Sequence, residues 1–172
     1  MDGYLLDTTI ASAYLDPTHQ KHKEILEVVQ GKTSKEFAYI SVVALAELTT
    51  GAEFFEAFTG LQIPAFRERL AAAHQHRLLD VTHHTATAYG ELKRAVAQMW
   101  MPEIMKDIAK RRRFVEDWID ETTGKKLGID ENDLWMCAQA KERDLIFVTE
   151  DAKMVNRIGP AEKSLRLELL SP

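Results

Sequence analysis

The sequence predicts an α/β fold, a doubly wound three-layer α/β/α sandwich built on a mainly parallel sheet of four or five strands. Two observations predict it. Short apolar, β-favouring runs alternate along the chain with longer segments of helical periodicity, and strands separated by helices imply crossover connections and a parallel sheet covered on both faces. The run Leu145-Ile146-Phe147-Val148 is apolar at every position, as a central parallel strand buried on both sides requires. At 172 residues the chain is expected to form a single domain, 1–172, and it shows no repeat, low-complexity tract or linker.

The elements follow in order. Tyr4-Leu5-Leu6 reads as a first strand ending at Asp7, after which Thr8 and Thr9 open a helix carrying Ile10, Ala11, Ala13, Tyr14 and Leu15. A second helix runs from Thr18 to Gln30, with Gly31 as its stop signal. Phe37 to Ile40 is a second strand, Ser41 an N-cap, and Val42 to Phe58 a helix with Gly51 as a weak point. Pro64 suits a first helical position, and Ala65 to Gln75 continues from it. Leu78 to Val81 is a third strand before a helix from about Thr85 to Trp100. From Pro102, the spacing of Ile104, Met105, Ile108, Val115, Trp118 and Ile119 predicts a further helix running out at Gly124. Asp130 to Arg143 is another helix, Leu145 to Val148 the fourth strand, and Leu165 to Leu170 a weaker fifth.

Composition narrows the function. With 22 basic and 27 acidic residues the net charge is −5, which argues against binding nucleic acid by overall basicity but leaves room for a local basic face. One cysteine excludes an internal disulfide and a multi-cysteine zinc site, so an intracellular, cytoplasmic protein is expected. The acid at Asp2 and the break at Asp7 argue against an export signal, and no apolar run is long enough for a membrane span. There is no glycine-rich phosphate loop and no nucleophile elbow.

Chemistry in open parallel sheets sits beyond the carboxyl ends of the strands. Four acids belong to that edge: Asp7 after the first strand, Glu47 in the second turn of the helix leaving the second, Asp133 in the first turn of the helix leading to the fourth, and Asp151 just past the fourth. Each has a plainer reading. Asp7 and Asp151 can be caps, Asp133 a partner of the helix dipole, and Glu47, among apolar neighbours, one half of a salt bridge. Together they are more informative, because four converging carboxylates repel one another unless cations neutralise them. A carboxylate cluster without histidine or cysteine suits Mg²⁺ or Mn²⁺, one ion or two. Such an ion can activate water, hold a phosphate and stabilise charge on a leaving oxygen, which makes phosphodiester hydrolysis the natural reaction.

The same residues carry a resemblance. Leu5-Leu6-Asp7-Thr8, Ile40-Ser41 with Glu47-Leu48 and Gly51, Asn132-Asp133-Leu134 with Ala138 and Ala140, and Phe147-Val148-Thr149-Glu150-Asp151 together resemble the PIN-domain nucleases, especially the VapC-type toxins. The blocks match in order and spacing over residues 4 to 151. The resemblance implies a PIN-like fold and a Mg²⁺- or Mn²⁺-dependent endoribonuclease that forms a homodimer and is inhibited by a VapB-like antitoxin. Carried over by position, Asp7, Glu47, Asp133 and Asp151 would be the catalytic and metal-binding quartet, with Thr8 and Thr149 as site hydroxyls. Asp130 is a further candidate ligand on the face of Asp133, whereas Glu131 points away. Two departures stand out: Met154 occupies a place where such proteins often have an aromatic residue, and residues 101–126 read as a helical insertion. A non-catalytic metal-binding or protein-docking scaffold and a Mg²⁺-dependent phosphatase using Asp7 are the alternative readings.

The insertion holds Lys106, Lys110, Arg111, Arg112, Arg113, Lys125 and Lys126, and reads either as a phosphate-contacting arm or as a solvated face paired with its own acids. His74, His76, His83 and His84 do not make a zinc site, since the adjacent pair is expected to diverge. Trp100, Trp118 and Trp135 are expected in packing, and Cys137 as a buried small hydrophobe.

Overall fold

A computed structural model describes residues 3–32, 37–110 and 114–170. The apolar runs become five strands: β1 (Tyr4–Leu6), β2 (Ala38–Ser41), β3 (Arg77–Leu79), β4 (Ile146–Thr149) and β5 (Arg166–Leu169). Between and around them lie α1 (Thr8–Leu15), α2 (His22–Lys32), α3 (Val42–Thr59), α4 (Pro64–Ala73), α5 (His83–Trp100), α6 (Glu131–Glu142) and α7 (Ala152–Ile158). The sheet is parallel throughout, in the order β3-β2-β1-β4-β5. The chain winds outward from β1 to β3, then returns to β4 on the other side of β1. Winding direction therefore reverses between β1 and β4, crossovers before and after the reversal lie on opposite faces, and the crevice at the reversal is where ligands of such sheets bind.

Local chemistry explains the boundaries. Ser41 caps α3 by accepting the Val43 amide at 2.9 Å, Pro64 starts α4, and Thr82 and Thr85 form a reciprocal capping box at the start of α5. The central strands bury both faces: Leu5, Leu6, Ile40 and Phe147 have no exposed surface and Val148 only 1%. Truncating Phe147→Ala removes the largest of these side chains from the sheet centre. We expect a loss of about 3–5 kcal/mol and a melting temperature lower by roughly 6–20 °C, read by thermal unfolding.

The structure corrects several boundaries. Gly31 lies inside α2, and Thr18 is outside it, tied by its amide and hydroxyl to Asp16 Oδ1. β3 ends at Leu79, short of Val81. α7 is only seven residues long, too short for its periodicity to mark it in the sequence. The largest correction concerns the segment from Pro102. Its described residues form three single 3₁₀ turns (Ile104–Lys106, Ile108–Lys110 and Val115–Asp117) where one long α-helix was expected. Side-chain carboxylates take the amides a helix would use: Glu121 accepts those of Glu103 and Ile104, Asp107 that of Ala109, and Asp120 that of Thr122. The apolar stripe still anchors the segment, with Val115 and Trp118 in the core. Arg111, Arg112 and Arg113 lie outside the described residues.

Candidate functional site

Asp7 is placed by the two strands that flank the reversal. It follows β1, its amide donates to the Val148 carbonyl at 2.9 Å, and its Oδ1 caps α1 by accepting the Thr8 amide at 2.6 Å. Thr149, the last residue of β4, donates its hydroxyl to Asp7 Oδ2 at 2.6 Å and accepts the Asp151 amide at 3.0 Å. Asp151 in turn caps α7, its Oδ1 accepting from Lys153 and Met154 at 2.7 and 3.1 Å. Both aspartates are caps, as the plainer reading has it, and capping holds each carboxylate at the sheet edge.

Glu47 is only partly buried, because Val42, Val43 and Leu45 beside it are themselves partly exposed and Ala46 is exposed. Its carboxylate has no lysine or arginine partner among the described residues. It accepts the Thr8 hydroxyl and, at 2.7 Å, the Asn132 side-chain amide. The salt bridge considered for Glu47 is absent there, and Asn132, to which no role attached in the sequence, brings α6 to α3. A buried polar pair strengthens that link: the Ser41 hydroxyl donates to Gln139 Oε1 at 2.5 Å, and Gln139 donates to the Leu79 carbonyl at 2.9 Å. A single glutamine inside the apolar run from Leu134 to Ala140 was the available signal, since a buried amide needs partners.

At the start of α6, Asp130 and Asp133 cap one another's amides, at 2.8 Å from Asp133 N to Asp130 Oδ1 and 3.3 Å in return. Glu131 turns to Lys93 on α5 at 2.6 Å. The result is one open cavity of about 350 Å³ lined by Asp7, Thr8, Thr9, Glu47, Asp130, Asp133 and Asp151. All four acids of the quartet and Asp130 are brought together in it; Thr149 stands behind Asp7, and Thr9 is an addition. Among the described residues no three histidine, cysteine or acidic side chains are drawn tightly enough to hold an ion outright.

The cavity's electrostatics follow from five carboxylates with no basic residue in its lining. Burial holds the Asp7 carboxyl above its ordinary range against the opposing hydrogen bonds from Thr149 and Thr8, and the charges of Glu47 and Asp130 add to the rise. Burial, reinforced by Asp130, Asp7 and Asp151, pushes Asp133 up to about 7. An oxygen-only donor set at war with its own charge fits a hard divalent cation, which would remove the repulsion.

The remaining expectations resolve as packing. Trp135 stacks on Tyr89 at 3.9 Å, Trp118 is 4% exposed, and Trp100 donates to the Arg157 carbonyl at 2.9 Å. Cys137 is fully buried, with Met154 Sδ 4.0 Å away in the core. Contrary to the expected divergence, the His83 and His84 rings lie 3.8 Å apart.

Fold and site together define a class: parallel α/β domains that gather carboxylates at the topological switch point. A family model for the PIN domain matches residues 4–159, and the chain belongs to the PIN-domain family. No functionally curated protein matches it by sequence. Among solved structures it is similar to a chain of VapBC2 from Rickettsia felis bound to a promoter DNA fragment, with a TM-score of 0.62 and 20% identity over 98% of both chains. A chain of the DNA-bound VapBC from Salmonella typhimurium gives 0.59 and 18%, again over 98% of both. VapBC-5 from Mycobacterium tuberculosis, a member of the VapBC family of toxin–antitoxin systems, gives 0.54 and 19% over 99% of this chain and 100% of that one. At these identities the likeness is one of fold.

Proposed function

We propose that this protein is a Mg²⁺- or Mn²⁺-dependent endoribonuclease, the toxin of a toxin–antitoxin pair, in which Asp7, Glu47, Asp133 and Asp151, with Asp130 beside them, hold one or two ions. The observation that carries the proposal is the convergence of five carboxylates in one cavity at the switch point of a PIN-family sheet. When bound, the ion supplies charge neutralisation and Lewis acidity toward a phosphate oxygen and a water. The chain's own groups orient that site. Thr149 and the Thr8 amide fix the two oxygens of Asp7, and Asn132 and Thr8 fix Glu47, so each carboxylate is oriented and keeps lone pairs to spare. Because both Asp7 oxygens are engaged, the arrangement suits a held ligand better than the free nucleophile a phosphatase would need.

A VapB-like partner has support in α3. Val42, Ala46, Thr50, Phe54 and Phe58 recur every fourth residue, and the first three line a cavity of about 550 Å³ that also includes Glu47 and Asn132. Phe54 is 59% exposed and Phe58 84%, so the stripe leads from the acidic site to an uncovered apolar surface. An apolar stripe of this kind is what an antitoxin segment would cover. The homodimer belongs to the same reading. Among the described residues no helix is long and apolar enough to cross a membrane, in keeping with the cytoplasmic site of action proposed with it.

The test is cleavage of a panel of structured and single-stranded RNAs by the purified chain. Cutting with Mg²⁺ or Mn²⁺, lost in excess EDTA and restored by adding the ion back, is the expected result. Metal binding without cleavage of any RNA would favour the scaffold reading instead.

A further inference from the structure

Beside the acidic site lies a second cavity of opposite charge. It encloses about 460 Å³ and is lined by Lys125, Lys126 and Gly128 from the segment before α6 and by Lys153, Asn156 and Arg157 from α7. Two of its four cations are answered: Lys126 pairs with Asp117 at 3.3 Å and Arg157 with Asp120 at 3.5 Å. Lys125 and Lys153 are exposed and have no carboxylate partner among the described residues. Arg157 is also fixed in place, its guanidinium 4.5 Å above the Trp100 ring. A rigid guanidinium with two unpaired ammonium groups in one concavity is suited to phosphate oxygens.

The two cavities lie close along two segments of the chain. Gly128 stands two residues before Asp130, within about 7 Å of chain, and the Lys153 amide donates to Asp151 Oδ1 at 2.7 Å. This proximity lets a strand that enters the acidic cavity extend toward the basic one. We infer that the Lys125–Lys153–Arg157 cavity binds backbone phosphates of single-stranded RNA flanking the scissile bond. The inference rests on the endoribonuclease reading for its choice of ligand. Chemistry favours RNA over an apolar protein segment here, because Leu127, the cavity's apolar lining residue, is 2% exposed and offers no anchor for a partner side chain. The cavity also answers a problem set by the net charge of −5: it supplies local attraction beside a site that would otherwise repel RNA.

The test is fluorescence anisotropy with a labelled single-stranded RNA of about twelve nucleotides, in Mg²⁺, with Asp7→Asn in every protein to keep the RNA intact. Adding Lys125→Ala and Lys153→Ala is expected to weaken binding about tenfold at low salt. The slope of log affinity against log salt should flatten by about 1.4, the value for two lost phosphate contacts on a single strand. Lys125→Arg with Lys153→Arg should restore both, and thermal melts should show all variants folded. Unchanged affinity and slope would overturn the inference, as would an equal loss from Lys23→Ala with Lys163→Ala, two exposed lysines outside the cavity. Binding of a polyglutamate peptide that depends on Lys125 and Lys153 while RNA binding does not would reassign the cavity to a protein partner. Anisotropy reads binding alone, so a wild-type chain that cuts no RNA yet binds it through these lysines sinks the nuclease reading and leaves only the cavity's binding of RNA phosphates standing.

Discussion

Asp133→Asn is expected to abolish RNA cleavage while making the metal-free protein more stable. The loss should exceed about 100-fold, because even partners that only orient a metal's ligands cost about 10–100-fold when removed, and Asp133 stands in the cavity itself. The gain in stability follows from the same position. An acid with an ordinary value of 3.8 that is pushed up to about 7 in the fold binds its proton more tightly folded than unfolded. Between those values the native state holds more protons, so stability falls as pH rises, and above 7 the full penalty is present. A rise of that size corresponds to as much as about 4 kcal/mol, of which screening at a partly exposed site leaves roughly half. Asparagine carries no charge but keeps an oxygen that can accept the Asp130 amide, so the capping box survives. Loss of the favourable helix-dipole contact costs less, about 0.3–1 kcal/mol. The metal-free variant should therefore melt roughly 2–7 °C above wild type at pH 8, and the difference should vanish near pH 4. A variant that is both less stable at pH 8 and fully active would remove Asp133 from the site.

The acidic site was more legible in the sequence than parts of the fold that carry it. Asp7, Glu47, Asp133 and Asp151 sit at strand ends and helix starts, where alternation of apolar runs and helices fixes position to within a turn. All four line the expected cavity. Strand order was another matter: periodicity says that β1 and β4 exist, not that they are neighbours, and the reversal between them emerges only from pairing. The segment after Pro102 departs furthest from the helix its spacing predicts. Ile104, Met105, Val115 and Trp118 fall at helical spacing and do pack in or against one core, yet the chain reaches that core through 3₁₀ turns whose amides are taken by Asp107 and Glu121. Asn132, present in a motif block but without a role, and Gln139 are hard to read for a related reason. An amide at a contact between elements has no period, and its meaning depends on which carboxylate or carbonyl the fold sets opposite it.

Metal affinity should depend steeply on pH, and in the direction opposite to the stability of the metal-free protein. A divalent ion binds the ionised carboxylate, so each ion that enters below pH 7 must displace a proton from Asp133. With that group titrating at about 7, proton competition leaves affinity nearly intact at pH 8, reduces it about tenfold at pH 6 and about 100-fold at pH 5. Asp7, held above its ordinary range by burial, steepens the fall at the acid end. Calorimetric titration with Mn²⁺ across this range gives the affinity directly. Repeating it at pH 6 in two buffers of different ionisation enthalpy counts the protons released, with about one expected. Asp133→Asn should release close to none at that pH, and its weaker affinity should stay nearly level from pH 8 to pH 6. An affinity for wild type that is flat between pH 5 and 8 would mean that the ion does not meet Asp133, and the cavity's five carboxylates would then have to be neutralised in some other way. The steep outcome would instead tie the repulsion among those side chains to their use, since the charge that costs the empty site stability is the charge that holds the ion.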